Sequence, residues 1–273
     1  MVARTVLSCL LVLALVRTTV AAEPPETESS ATNLDISFAS ALSSTSVWAH
    51  TAAVASQGTV LPWQIDVEAA LWIPVGGKVS NVDVNADEFD SGVGTMGWVR
   101  FDGVNRTEGL GVFAEVTTLD YEVQTSTPAL TADVNQQVLD VGPIYRTVLP
   151  IGGLAIELDI YGGFRYQNID YNEVGTATFN EDLYEVMVGV KAMNFLSDTL
   201  RLEVRGSLSG FDLSDDATTL TWEVRAAIGF DVTNLITIRA GYRGMGVEYD
   251  ARTVTFTYDT IVHGPFVGAS IQF

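Results

Sequence analysis

The chain has 273 residues, 47% of them hydrophobic, and carries 34 Asp and Glu against 14 Lys and Arg, a formal net charge of -20. So large an acidic excess excludes nucleic acid as a partner, because phosphate binding needs basic patches. The single cysteine, Cys9, excludes a disulfide framework and a cysteine metal site.

Arg4 precedes an apolar run from Val6 to Val16, and Val20, Ala21 and Ala22 supply small residues before Glu23. This pattern predicts a secretory signal peptide over residues 1–22, with Cys9 inside it. Its loss removes Arg4 and Arg17 and leaves 12 basic residues. Residues 23–61 open with EPPETESS, are rich in Ser, Thr and Ala, and show no sustained period. They read as a flexible, periplasmic leader, with a short helix inside ISFASALSSTSVWAH as the alternative. No later stretch reaches about 18 uninterrupted apolar residues, so any crossing of a membrane falls to strands.

After Leu61 the pattern takes period two. In QIDVEAALWI, Ile65, Val67, Ala69, Leu71 and Ile73 share one face, while Gln64, Asp66, Glu68 and Ala70 share the other. Nine further alternating segments follow: Val93 to Gly103, Gly109 to Val123, Gln137 to Val148, Leu154 to Ile169, Leu183 to Met193, Leu200 to Phe211, Leu220 to Asp231, Ile236 to Val247 and Thr255 to Phe273. Most are close to the length a tilted strand needs to cross a bilayer. The connections alternate between tight turns (NRTE, PIGG, SDT, TN) and longer loops (Gly76 to Gly92, TSTPALTAD, YNEVGTATFNED, DLSDDATT, EYDARTV). The expected fold is all-β: an antiparallel transmembrane barrel of ten strands over residues 62–273, with eight or twelve as alternatives. Its outer face is apolar, unlike a lipocalin-like soluble barrel with its apolar residues inside.

Charges within the strands fall on one face. A lipid-facing charge costs a few kcal/mol at the bilayer midplane, so that face is the lumen. It collects the acids Asp66, Glu68, Asp102, Glu115, Asp140, Glu157, Asp159, Glu185, Glu203, Glu223 and Asp231. It also collects the bases Arg100, Arg146, Arg165, Lys191, Arg201, Arg205, Arg225, Arg239 and Arg243. Buried charges must be paired or hydrated, which points to an ion-pair network in a narrow interior. Arg201, Glu203, Arg205, Glu223 and Arg225 lie on consecutive strands, where they can pair across the ladder. Outward aromatics form two girdles: Phe101, Tyr145, Phe230 and Phe273 near the short-turn end, and Tyr166, Tyr184 and Trp222 near the long-loop end.

WQIDVEAALWIP, GYRGMGVEYD and HGPFVGASIQF resemble a broad group of poorly characterised Gram-negative outer-membrane β-barrel proteins over Pro62 to Phe273. The terminal Phe273 on an alternating strand also resembles the assembly signal of such barrels. The resemblance implies fold and an outer-membrane location and carries over no functional residue. Implied partners are outer-membrane lipids, lipopolysaccharide and the barrel-assembly machinery.

Enzyme chemistry finds little footing. The rim of ten-stranded omptin proteases resembles paired Asp clusters with a His; this chain has Asp83 and Asp87 but only His50 and His263. His263 and Ser270, the pair nearest to a lipase-like arrangement, fall on opposite faces of one strand. DVNADEFD starts like a calcium loop, but Glu88 stands where the turn needs Gly. Weak divalent binding by the acidic loops is the residual expectation; no cofactor and no metal site is expected. GPFVG eases curvature in the wall. The leading function is a non-enzymatic envelope barrel, structural or surface-interacting; a small-solute, porin-like channel comes second and an enzyme last.

Overall fold

The computed structural model describes residues 62–79, 82–85, 89–90, 96–126, 129–173, 177–210, 217–251 and 257–273. The signal-peptide and leader segments, His50 and Asp87 lie outside the described residues, as does the side chain of Asp83. Among the described residues every regular element is a strand. They are β1 (Trp63–Trp72), β2 (Gly76–Val79), β3 (Val82–Asn85), β4 (Phe89–Asp90), β5 (Gly97–Asn105), β6 (Leu110–Ser126) and β7 (Ala129–Ile151), followed by β8 (Leu154–Glu173), β9 (Ala177–Phe195), β10 (Leu200–Gly210), β11 (Ala217–Asp231), β12 (Ile236–Ala251) and β13 (Thr257–Gln272).

Ten of these close an antiparallel barrel. β1 pairs with β5, each strand from β5 to β13 pairs with the next, and β13 returns to β1. At that seam Asp66 stands opposite Gln272 and Trp72 opposite Phe266. Phe273 extends it with reciprocal main-chain bonds to Ile65 at 2.9 and 3.3 Å. Closure gives each of the ten strands a partner on both sides through the lower part of the barrel.

Three of the four turns at one end are built from local hydrogen-bonding residues. The Asn105 side chain accepts from the amides of Thr107 and Glu108. Ser197 does the same for Thr199 and Leu200, and Thr233 for Leu235 and Ile236. The turn between β7 and β8 places Gly152 and Gly153 at positive φ, 59° and 85°, which a side chain disfavours. At the opposite end β2 pairs with β13 over Thr260 to His263, β3 pairs with β2, and β4 pairs with β6 at Phe89 opposite Val123. The first long loop is therefore largely strand.

Two other expected loops are also strand. TSTPALTAD and YNEVGTATFNED lie mostly inside tall hairpins, since β6 runs to Ser126, β7 begins at Ala129, β8 runs to Glu173 and β9 begins at Ala177. The alternation does not stop there; its phase inverts. On β8 the outward set is Ile156, Leu158, Ile160, Phe164 and Tyr166, then Asn168, Asp170 and Asn172. The inward set is Glu157, Asp159 and Arg165, then Ile169 and Tyr171, both fully buried. β12 behaves alike: Ile236, Ile238 and Tyr242 face out below Glu248 and Asp250, while Arg239 and Arg243 face in below Met245, Val247 and Tyr249.

The molecule thus has an apolar outer belt around a charged interior, topped by a polar outer wall around an apolar interior. Ile156 to Tyr166 covers about 34 Å of strand at about 3.4 Å per residue. Tilted by about 40°, that is about 26 Å along the barrel axis. Tyr166 and Tyr184 mark the upper boundary, with ring centroids 5.3 Å apart. Just above, the Tyr166 hydroxyl and the Asn168 amide donate to Asp182 at 2.7 and 2.9 Å and hold its carboxyl below the ordinary range. The apolar interior above the belt includes Leu119, Val134 and Ile169, and the same cluster continues down to Met245, Phe266, Trp72 and Trp98 beside the charges.

One stretch of wall is unusually tight. Gly142 and Gly163 approach so closely that a Cβ on Gly163 would lie 2.1 Å from the Val141 carbonyl oxygen and 2.7 Å from the Gly142 Cα. The β7–β8 ladder is interrupted there, at Gly142 and Pro143, and resumes in the same register at Ile144 opposite Tyr161. Proline has no N–H to give the ladder.

Candidate functional site

Period two sends alternate side chains of every strand inward, and the charged ones among them fill the interior inside the apolar belt. At their centre is Glu115 on β6. Its carboxylate lies 2.7 Å from Arg205, 3.2 Å from Arg100, 3.6 Å from Arg243 and 3.9 Å from Arg225. Four guanidinium groups from β5, β10, β11 and β12 therefore converge on one acid. Arg205 and Arg225 are register partners on adjacent strands, an arrangement that repels. The conflict is relieved by sending Arg205 across the lumen to Glu115 and Arg225 across it to Glu68 at 3.3 Å.

Glu68 is a second hub: it accepts from Arg239 at 2.5 Å, Arg225 at 3.3 Å and the Trp98 indole at 3.1 Å. Arg239 also reaches Glu203 at 3.1 Å and Asp66 at 3.6 Å. Lower down, Asp159 takes Arg146 at 2.7 Å and Lys191 at 2.7 Å, Glu157 lies 3.2 Å from Arg146, and Asp102 sits 2.8 Å from Arg100 and 3.4 Å from Lys191. Arg201 pairs with Asp231. Arg165 makes a two-pronged pair with Asp140, both bonds 2.7 Å. Glu223 lies 3.2 Å from Arg243, and Glu185 accepts from Gln167, Ser209 and Thr221. The network combines pairs along the wall, as the sequence suggested, such as Arg100 with Glu115, Arg165 with Asp140 and Lys191 with Asp159, with struts between strands that are not neighbours, such as Arg205 to Glu115 and Arg225 to Glu68.

Aromatic rings fill the space between the charges, and period two alone did not single these out. Arg225 and Arg243 lie 4.7 and 4.6 Å from the Trp98 ring, and Arg243 is 5.1 Å from Trp72. Arg100 lies 4.7 Å from Phe113, and Arg205 5.0 Å from Tyr161, whose hydroxyl accepts from the Arg205 Nε at 2.8 Å. The signal was present in the sequence: Trp98, Phe113 and Tyr161 share the parity of the inward charges. Arginine suits this setting because its planar cation both pairs with carboxylates and stacks on rings.

The result is a filled interior. Arg165, Arg205, Arg225 and Arg243 rank among the largest fully buried side chains, and Asp159 and Glu185 are both 0% exposed. Some polar atoms within it make no hydrogen bond, among them Arg225 Nη2, Arg243 Nη1, Arg100 Nη2, Glu115 Oε1 and Glu223 Oε1.

The seven girdle residues lie on the outer wall, Phe101 and Tyr184 exposed and Tyr166 half-buried. Phe273, Phe230 and Tyr145 are exposed, while Trp222 is half-buried because its indole lies over Gly246. His263 faces outward and shares a hydrogen bond with Tyr242 at 2.6 Å, whereas Ser270 is buried on the inner face. Among the described residues no group of His, Cys, Asp and Glu has the spacing to hold a metal ion.

No protein-family model and no curated protein matches this chain. Among solved structures it is similar to a major outer membrane protein from Thermus thermophilus, at 14% identity and TM-score 0.41, covering 78% of this chain and 100% of that one. It is also similar to Neisserial surface protein A, at 11% identity and TM-score 0.36 with 78% and 98% covered. Its similarity to OprG from Pseudomonas aeruginosa is of the same order, at 12% identity and TM-score 0.37 with 77% and 95% covered.

Proposed function

We propose that this chain is an outer-membrane barrel with a sealed lumen, a non-enzymatic envelope component that acts through its wall and its outer end. The membrane reading is supported by the belt. Phe164 and Val188 are each 61% exposed, alongside Ile160, Val99 and Ile238, and a belt of this extent in water exceeds what soluble proteins leave uncovered. Its height of about 26 Å matches the apolar band of outer-membrane barrels.

The observation that carries the sealed reading is the dryness of the inward side chains. A water-filled conduit leaves its lining wetted, yet Arg165, Arg225 and Arg243 are each 1% exposed. Above them the apolar interior adds a second closure. A small-solute channel is the second reading, favoured by the arginine and glutamate atoms of the network that make no hydrogen bond, which water could satisfy in an opened state.

Planar-bilayer recording separates the two. The wild type is expected to conduct weakly or not at all. Replacing both Arg205 and Arg225 with Ala removes two struts and two positive charges, and is expected to introduce cation-preferring leakage. Large and steady wild-type conductance, little changed by those substitutions, would establish the channel instead. Recovery of the mature protein in the soluble periplasmic fraction would defeat the membrane reading altogether.

A further inference from the structure

Inside the belt, the inner face of β9 to β12 carries an unbroken row of bases. Lys191, Arg205, Arg225 and Arg243 are successive register partners, so like charges stand directly opposite each other in three adjacent pairs, an arrangement that destabilises antiparallel strands. All four are buried. The acids that answer them are shared. Glu68, 3.3 Å from Arg225, lies closer to Arg239 at 2.5 Å. Asp159, beside Lys191, also pairs with Arg146, and Glu115 is divided among four arginines.

The hydrogen bonds leave a surplus of one kind. Around Glu115, beyond the Arg100 Nε pair with Asp102 at 2.8 Å, five buried guanidinium nitrogens make no hydrogen bond: Arg100 Nη2, Arg225 Nε and Nη2, and Arg243 Nε and Nη1. Two carboxylate oxygens there make none, Glu115 Oε1 and Glu223 Oε1. A guanidinium donates and never accepts, so the complement of this set is rich in acceptors. Buried polar groups are as a rule satisfied by protein, water or an ion. Water brings donors of its own into a space already crowded with them. An anion brings none, and it also offsets the like charges of the row. Arg225 and Arg243 share their surroundings: they lie 4.7 and 4.6 Å from the Trp98 ring centre, and 3.9 and 3.6 Å from the Glu115 carboxylate. One ring and one carboxylate therefore bound both cations, and in an interior so filled by side chains only a small anion suits the place.

We propose that the lumen binds one inorganic anion of halide size between Arg225 and Arg243, beside Trp98. Its isolation from solvent rests on the sealed-lumen reading given above.

The probe is chloride. Full-length protein folded into phosphatidylcholine vesicles is unfolded in urea at one ionic strength, with sodium chloride exchanged stepwise for sodium gluconate so that screening stays constant. A ligand bound only by the native barrel makes the unfolding constant fall about tenfold for each tenfold rise in chloride once the site is filled. Arg243→Gln is expected to lose that dependence. Arg165→Gln removes an equally buried arginine whose nitrogens are all bonded, to Asp140 and Ser209; it is expected to lower stability and keep the dependence. Glu115→Gln deletes the charge that competes for the same nitrogens. It is expected to be less stable than the wild type in gluconate, yet to show the dependence from a lower chloride concentration, a reversal that a purely structural network does not produce.

A wild-type unfolding constant indifferent to chloride overturns the proposal in favour of water at these nitrogens, and that result needs no variant to fold. A dependence that Arg243→Gln keeps, that Arg165→Gln loses, or that begins at higher chloride in Glu115→Gln overturns it as well. Enclosure is tested separately: protein folded in sodium bromide and then desalted is expected to retain a bromide ion in each chain by elemental analysis. Chloride dependence without retained bromide supports the site and overturns the sealed lumen, which keeps the two failures apart.

Discussion

At Glu115, four arginines from four strands meet a single carboxylate, so removing its charge leaves each of them short of a partner. Glu115→Gln keeps the shape and deletes the charge. Breaking a buried ion pair by removing one partner typically costs about 3–5 kcal/mol, and urea unfolding of the vesicle-embedded barrel should register a loss of that size. A loss below about 1 kcal/mol, the range of an exposed pair, would mean that the arginines are held by other groups. On the outer wall, depth decides the cost of a charge. Ala240 and Glu248 both face outward on β12, the first within the belt and the second above it. Ala240→Arg should cost about 2–4 kcal/mol and Glu248→Arg no more than about 1 kcal/mol. Equal costs in the same unfolding assay would remove the boundary between belt and upper wall.

The hairpin of β7 and β8 shows what a strand can say from its sequence and what it cannot. Its lower half, in the apolar belt, was legible because Leu139, Val141 and Tyr145 alternate with Asp140 and Arg146, charge on one side and apolar groups on the other. Its upper half was not. Reading inward from the apolar face, β7 seemed to begin at Gln137, although the strand begins at Ala129. Period two continues through Asp133, Val134 and Asn135, but which face is apolar switches, and a search for an apolar outer face takes the switch for a loop. The inward position of the charges could be read residue by residue. The partners could not, since Glu115 and Arg205 are 90 residues apart and meet only once the barrel has closed. Gly142 and Gly163 were also illegible as a pair, because their closeness depends on register. Gly163→Ala sets a methyl against the Val141 carbonyl, and overpacking of this kind costs about 1–3 kcal/mol. The same unfolding measurement should show that loss, whereas Gly153→Ala, with nothing within 4 Å of the added methyl, should be limited to the strain of its positive φ.

For the molecule as a whole, the phase inversion sets how deeply the barrel sits. Sliding outward by one row would lift apolar residues such as Phe164 into water, and sliding inward would press Asn168 and Asp170 into hydrocarbon. The fit is therefore sharpest for a bilayer whose core is close to about 26 Å, and mismatch carries a modest cost per ångström. Folded yield in phosphatidylcholine vesicles of graded acyl length should peak near that thickness. A flat yield across the series would show that the upper boundary does not fix the depth.

The two rims also differ in what it takes to carry them through hydrocarbon. The short-turn rim ends in turns of a few residues held by Asn105, Ser197 and Thr233. The other rim carries tall hairpins with Asp, Asn and Glu on the outside. Insertion is consequently directional: protein added to preformed vesicles without help should thread the short-turn rim first and leave the tall hairpins on the side of addition, open to added protease.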